Sequence, residues 1–267
     1  TSAPEMLTSV FAALENKAVM VVGNVIGSNL ANIALVFGLT LGVLFYRKGD
    51  FLSEPEISFN LILLILSTLL VWIIIALNPF SFYSSLVLLA VLFLVIVIWY
   101  KTNAGRESKF EESSESERFL LLKLLVSLIS LAIAAWLITK GAFSILETFG
   151  LGELFIGFTV LAIGTSLPEI AAALALASKG RNEVVAGTLI GSNIFNGLFV
   201  LAIPGIIGSS VSINYHQWIP LLALLLFVTV VFCLYIFLRI NSPKRASLGI
   251  CILLFISYFL SLSLAYS

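Results

Sequence analysis

The sequence predicts an all-α polytopic membrane protein built from two inverted-topology repeats of five transmembrane helices, ten in full length and about eight and a half in this chain. Three observations carry that prediction. The 267 residues are 60% hydrophobic and 10% charged, with mean hydropathy +1.15, whereas a soluble domain carries about 25% charged residues. Apolar stretches recur at lengths that cross a bilayer. One polar motif occurs twice, once in each half.

In chain order, residues 1–15 read as half of a span, followed by crossing runs at 19–45, 57–77 and 81–100. Each crossing needs about 20 apolar residues. Together they make the first repeat half, 1–100, lacking its first helix and part of its second. Residues 101–118, KTNAGRESKFEESSESER, are polar, serine-rich and acidic. Their five glutamates suggest a regulatory Ca2+ site, but the composition fits a solvated linker between halves better. The second half, 119–267, holds crossing runs at 119–146, 154–178, 183–208, 217–239 and 247–266.

Charge sets the orientation. Arg47, Lys48, Lys101, Arg106, Lys109, Arg118, Lys123, Lys179, Arg181, Arg239, Lys244 and Arg245 fall on alternate connections, leaving Lys17 and Lys140 on the other side. Basic loops stay cytoplasmic, so the 101–118 linker is expected in the cytoplasm and the C-terminus outside. The net charge of zero argues against a nucleic-acid partner. The partner this composition demands is the lipid bilayer, and no feature calls for an obligatory protein partner. Cys233 and Cys251 lie in apolar runs without metal or redox spacing and read as filler, and His216 beside Trp218 reads as an interfacial residue.

The repeat is explicit. TSAPEM at 1–6 matches TSLPEI at 165–170, and GNVIGSNLAN at 23–32 matches GTLIGSNIFN at 187–196. One offset of 164 aligns Glu5 with Glu169, Gly27 with Gly191, Ser28 with Ser192, Asn29 with Asn193 and Asn32 with Asn196. The second copy lies five spans further along the chain, an odd step, so it runs through the membrane in the opposite direction. Inverted repeats place their ligand site near the midplane between halves. The same offset puts the counterpart of the 119–146 span upstream of Thr1, an expected extension of about 45 residues.

Each copy carries one carboxylate in an apolar segment. A charge at the bilayer centre costs on the order of 3 kcal/mol on insertion scales, and no basic residue stands at mid-depth to balance Glu5 or Glu169. Pro168 removes a helix donor and pushes away the carbonyl of Gly164, so a break is expected there, exposing main-chain oxygens near Thr165. Irregular backbone at this depth is tolerated around a cavity or site. Hydroxyls of Thr165 and Ser166 stand one turn from Glu169. Ser192 and Asn196 share a helix face, as do Ser28 and Asn32, either as ligands or as interhelical hydrogen-bonding groups. Gly187 and Gly191 let another helix approach, with packing as their possible whole role. Carboxylates, hydroxyls, amides and carbonyls without His or Cys make a hard-cation site. Two glutamates balance one Ca2+ or two Na+.

The paired G-T-S-x-P-E and G-S-N-x-x-N motifs resemble the α-repeats of the Ca2+/cation antiporter superfamily, most like its prokaryotic sodium/calcium exchangers. The resemblance covers both repeats and the ten-helix plan. It implies ion ligands at Glu5, Ser28, Asn32, Glu169, Ser192 and Asn196, joined by hydroxyls or carbonyls of Thr1, Ser2, Thr165, Ser166 and Ala162. It also implies one Ca2+ site flanked by Na+ sites, no cofactor beyond the transported ions, and an address in the prokaryotic inner membrane. Two long tilted helices, the first of each repeat, would slide to switch access, and the run at 119–146 is one of them. Where some members place Asp at the last motif position, this chain has Asn32 and Asn196.

The reading is therefore a secondary antiporter exchanging Ca2+ for Na+, and not an enzyme. An H+/Ca2+ antiporter is the nearest alternative, since buried paired glutamates can take up protons. A cation channel would conduct without a counter-ion. An intramembrane hydrolase lacks support, because Ser with Asn offers no base.

Overall fold

A computed structural model of the chain describes residues 2–47, 57–77, 81–103, 117–209, 215–238 and 244–266. Thr1, the side chain of His216 and residues 104–116 of the 101–118 linker lie outside the described residues. Every regular element among the described residues is helical, as an apolar chain requires when no water is present to satisfy its backbone.

Helix α1 (Ala3–Leu14) turns into a rod formed by α2 (Ala18–Leu30), a π-helical stretch (Ala31–Val36) and α3 (Phe37–Arg47). Helices α4 (Ile57–Leu77) and α5 (Phe82–Asn103) follow. Beyond the linker come α6 (Glu117–Phe149) and a second rod of α7 (Glu153–Ile156), a π-helical stretch (Gly157–Leu161) and α8 (Ala162–Ser178). A third rod joins α9 (Asn182–Leu198), a 3-10 turn (Val200–Ala202) and α10 (Ile203–Ile207), and α11 (Tyr215–Phe237) and α12 (Lys244–Tyr266) complete the chain. Eight helical rods among the described residues are long and apolar enough to cross a membrane, from Ala18–Tyr46 to Leu248–Tyr266, and each falls within a few residues of a run read from the sequence. The α2–α3 and α9–α10 rods are the most buried, while α6 presents nearly all its surface outward. That exposed surface is leucine- and isoleucine-rich, as suits lipid contact.

The repeat extends to the backbone. After α1, Asn16 takes a left-handed conformation with φ 58°, and after α8 Gly180 does so with φ 74°. Asn and Gly are the residues that tolerate this region. Lys17 N–H bonds the Ala12 carbonyl at 2.9 Å, and Arg181 N–H bonds the Leu176 carbonyl at 3.0 Å. Both pairs are related by the offset of 164. The helices also leave α geometry near the end of the GSNxxN motif in both halves, through the π stretch at Ala31–Val36, which includes Asn32, and the 3-10 turn at Val200–Ala202, which follows Asn196.

The expected break at Pro168 is absent. Helix α8 runs unbroken from Ala162 to Ser178 with Pro168 inside it; the proline is exposed, about a quarter-turn round the helix from buried Glu169. The irregular turn lies earlier, at Gly157–Leu161.

Glycines fix where the two halves cross. A Cβ at Gly23 would meet the Leu154 carbonyl at 2.6 Å, and one at Gly27 would meet the Phe158 carbonyl at 2.6 Å and the Ala162 Cβ at 2.7 Å. One at Gly157 would collide with the main chain of Met20. The equivalent Gly187 and Gly191 meet nothing within 4 Å, which corrects the expectation of close helix approach there. They line a cavity of about 540 Å³ together with Ser2, Met6 and Phe195. Gly157→Ala and Gly27→Ala are therefore expected to destabilise by about 1–3 kcal/mol or more through overpacking. Gly42→Ala, which meets nothing within 4 Å in α3, should stabilise by about 0.5–1 kcal/mol. Thermal unfolding in detergent, followed by size-exclusion, reads both signs.

Candidate ion-binding site

Four helices bring the motif residues together. Glu5 lies on α1, Ser28 near the end of α2, and Asn32 in the π stretch that follows it. Thr165, Ser166 and Glu169 lie on α8, and Ser192 and Asn196 on α9. Helix α8 packs against α1, α2 and α9, and α2 against α9, so the two motif copies face each other at the centre of the molecule. Glu5 is 0% exposed and Glu169 2%. Both carboxylates thus lie buried on helices α1 and α8, which pack against each other. Thr1 is outside the described residues, and its neighbour Ser2 is buried with its Oγ 2.7 Å from Ser192 Oγ.

The local chemistry is a set of buried polar atoms, all but one of them oxygens, with nothing to meet. Both carboxylate oxygens of Glu5, Asn32 Oδ1, Ser166 Oγ and both amide atoms of Asn196 are buried and make no hydrogen bond. Buried polar groups are nearly always satisfied, and leaving one unmet costs about 1–3 kcal/mol. The described ion pairs, Lys17–Glu153 at 2.9 Å and Lys140–Glu15 at 3.9 Å, are partly or largely exposed and include neither Glu5 nor Glu169. Among the described residues, no group of three or more His, Cys, Asp or Glu gathers elsewhere. Only hard oxygen donors converge, the set that suits Ca2+ or Na+.

Two hydroxyls of the cluster, those of Thr165 and Ser28, donate their protons within their own helices. Thr165 Oγ1 donates to the Leu161 carbonyl at 3.0 Å and lies 3.4 Å from the Ala162 carbonyl, so its lone pairs remain for another partner. Ser28 Oγ donates to Asn24 Oδ1 at 3.4 Å. Asn24 in turn donates to Ser9 Oγ at 3.1 Å and Thr8 Oγ1 at 3.4 Å, tying α2 to α1. The other half lacks this arrangement. Thr188 stands where the first half has Asn24 and bonds its own helix at Val184 (2.8 Å), while Ala172 and Ala173 stand where it has Thr8 and Ser9.

Sequence reasoning assigned no role to Asn24, Asn29 or Asn193. Asn29 Nδ2 donates to the Asn193 carbonyl at 3.1 Å and Asn193 Nδ2 donates to the Asn29 carbonyl at 3.1 Å. Their identity at equivalent positions was the available signal; their pairing across the repeats needed the fold.

The sodium/calcium exchanger protein family model matches residues 1–101 and 119–267. The chain belongs to that family. It is 34% identical over 242 residues to the putative antiporter CaxA of Alkalimonas amylolytica, covering 85% of this chain and 75% of that protein. It is 30% identical to the inner membrane protein YrbG of Escherichia coli, covering 100% of this chain and 83% of that one. A solved structure of the sodium-calcium exchanger NCX_Mj, soaked with Na+ and Sr2+, superposes with TM-score 0.71 at 27% identity, covering 98% of this chain and 82% of that one. The exchanger family is one of multi-pass membrane proteins, in agreement with the crossing helices above, and its business is cation exchange.

Proposed function

We propose that this protein exchanges Ca2+ for Na+ across the membrane by alternating access, with Glu5 and Glu169 as the charged ligands. Neutral oxygens of Ser28, Asn32, Ser192 and Asn196, with Ser2, Thr165, Ser166 and the Ala162 carbonyl, complete the coordination, and Thr1 joins them. The observation that carries this reading is the convergence of buried, unsatisfied oxygens of Glu5, Asn32, Ser166 and Asn196 from opposite repeats. A cation supplies what each of them lacks. Two carboxylates neutralise one Ca2+ or two Na+, so the two ions compete for one charge balance, which is the physical basis of exchange. A site this enclosed suits a carrier better than an open pore.

Helix α6 supports the alternating-access step. At 33 residues it is about 50 Å long, longer than a hydrocarbon core of about 30 Å, a length that a tilted helix accommodates. Its fully buried positions are small residues, Ala135, Thr139 and Ala142, set among half-buried Ile138, Phe143, Ile145 and Leu146, where it packs against α1 and the Gly157–Leu161 turn. The basic connections orient the protein with its linker in the cytoplasm. In a prokaryotic inner membrane the Na+ gradient then drives the exchange.

Proteoliposomes separate Na+ from H+ as the counter-ion, since a proton would neutralise Glu5 or Glu169 as Na+ does. Ca2+ uptake should follow an imposed outward Na+ gradient and collapse when Na+ is replaced by choline at constant pH. Uptake that follows a pH gradient and ignores Na+ would move the assignment to H+/Ca2+ exchange.

A further inference from the structure

We infer that Asn29 and Asn193 are crossed positioning residues, each setting the amide orientation of the cation-facing asparagine in the opposite repeat. The inference rests on the ion-site reading above and adds residues to it. An asparagine helps a cation only through Oδ1; its Nδ2 is repelled and needs an acceptor elsewhere. The two orientations are nearly equal in shape, so the group that receives Nδ2 decides between them.

The orientation can be traced from an unambiguous acceptor. A main-chain carbonyl only accepts, and Asn193 Nδ2 donates to the carbonyl of Asn29 at 3.1 Å. Asn193 must therefore offer Oδ1 on its other side. Asn32 Nδ2 donates to that oxygen at 2.9 Å, which turns Asn32 Oδ1 away, buried and without a hydrogen bond. That is the atom a cation needs.

The mirror arrangement is built but open. Asn29 Nδ2 donates to the Asn193 carbonyl at 3.1 Å, so Asn29 also has an Oδ1 fixed as an acceptor, and this oxygen is buried without a partner. Asn29 Nδ2 lies 4.0 Å from where a Cβ on Gly197 would stand, next in sequence to Asn196. Both amide atoms of Asn196 are buried and unbonded. Donation from Asn196 Nδ2 to Asn29 Oδ1 would satisfy both residues and present Asn196 Oδ1 to the cation. Each repeat thus orients a ligand of the other, coupling the halves at the point where they meet.

The test is a double-mutant cycle on the full-length protein in detergent, read by calorimetric Ca2+ titration and by the Ca2+-dependent rise in melting temperature. Asn193→Ala should weaken Ca2+ binding by about 10–100-fold. The same change made in an Asn32→Asp background should cost less than about threefold, because a carboxylate presents oxygen in either orientation and has no Nδ2 to place. In an Asn196→Asp background the full loss should return. Asn29→Ala should behave conversely, silent with Asn196→Asp and costly with Asn32→Asp. Equal losses in both backgrounds, or none in the parent, would overturn the inference while leaving the ion site standing. A parent protein that binds neither Ca2+ nor Na+ would remove the ion-site reading and this inference with it. If the alanine variants do not fold, Asn193→Asp decides: it keeps the acceptor for Asn32 and loses the donor to the Asn29 carbonyl. Parental or tighter affinity supports the crossed role, and a tenfold loss refutes it.

Discussion

Glu169→Gln is expected to abolish measurable Ca2+ binding while raising the stability of the ion-free protein, and Glu5→Gln should do the same. Glutamine keeps the volume and removes one charge from a site whose formal charge is −2. A divalent cation facing one carboxylate in a buried site is left half compensated. Breaking a buried charge pairing in this way costs about 3–5 kcal/mol, a loss on the order of 100-fold or more in affinity. The ion-free protein responds in the opposite sense. It holds two buried carboxylates on packed helices, and Glu5 has no hydrogen bond to either oxygen, so a neutral amide relieves the cost of burying charge. The melting temperature without ions should rise. The Ca2+-dependent increase should disappear, since a ligand stabilises only what it binds. Calorimetry and thermal unfolding in matched buffers read the two effects independently. Parental affinity in either variant would remove that glutamate from the ion site.

These variants probe residues that were legible because their chemistry conflicts with their surroundings. A carboxylate in an apolar run calls attention to itself, and finding Glu5 and Glu169 at one fixed offset turns two oddities into one symmetric device. The crossing helices were legible for a related reason: length and hydropathy are local quantities, and a bilayer permits few alternatives. Pro168 misled because its effect depends on which way it faces. On the exposed side of α8 it forgoes one hydrogen bond without opening the helix, and the irregular turn lies at Gly157–Leu161 instead. The glycines show the same limit. Gly23 and Gly27 look identical to Gly187 and Gly191 in the repeat, yet only the first pair has a backbone laid across it. Asn29 and Asn193 were visible as a repeated letter, but each finds its partner 164 residues away. Sequence symmetry predicts equivalent positions; it does not predict that the halves exchange hydrogen bonds.

Ala142→Phe is expected to stop transport while leaving Ca2+ binding near its parental value. Helix α6 is largely outward-facing; its fully buried positions are Ala135, Thr139 and Ala142, the last 0% exposed, flanked by half-buried Ile138 and Phe143 that pack against the core. Small side chains at spacings of four and three residues let a helix translate along its neighbour without unlocking large knobs from holes. Alternating access needs such movement, whereas binding in one conformation does not. A phenyl ring at position 142 must either intercalate with α1 and the Gly157–Leu161 turn or push α6 outward, at a cost of about 1–3 kcal/mol in one arrangement and more in the transit between two. A barrier raised by about 3 kcal/mol slows exchange by roughly 100-fold. Leu137→Phe supplies the control, because Leu137 is 56% exposed on the outer face of the same helix and should transport normally. Calcium titration beside gradient-driven uptake in proteoliposomes distinguishes the outcomes. If Ala142→Phe transports at the parental rate, α6 does not slide along this face. If it loses binding and transport together while remaining folded, α6 shapes the site itself instead of gating access to it.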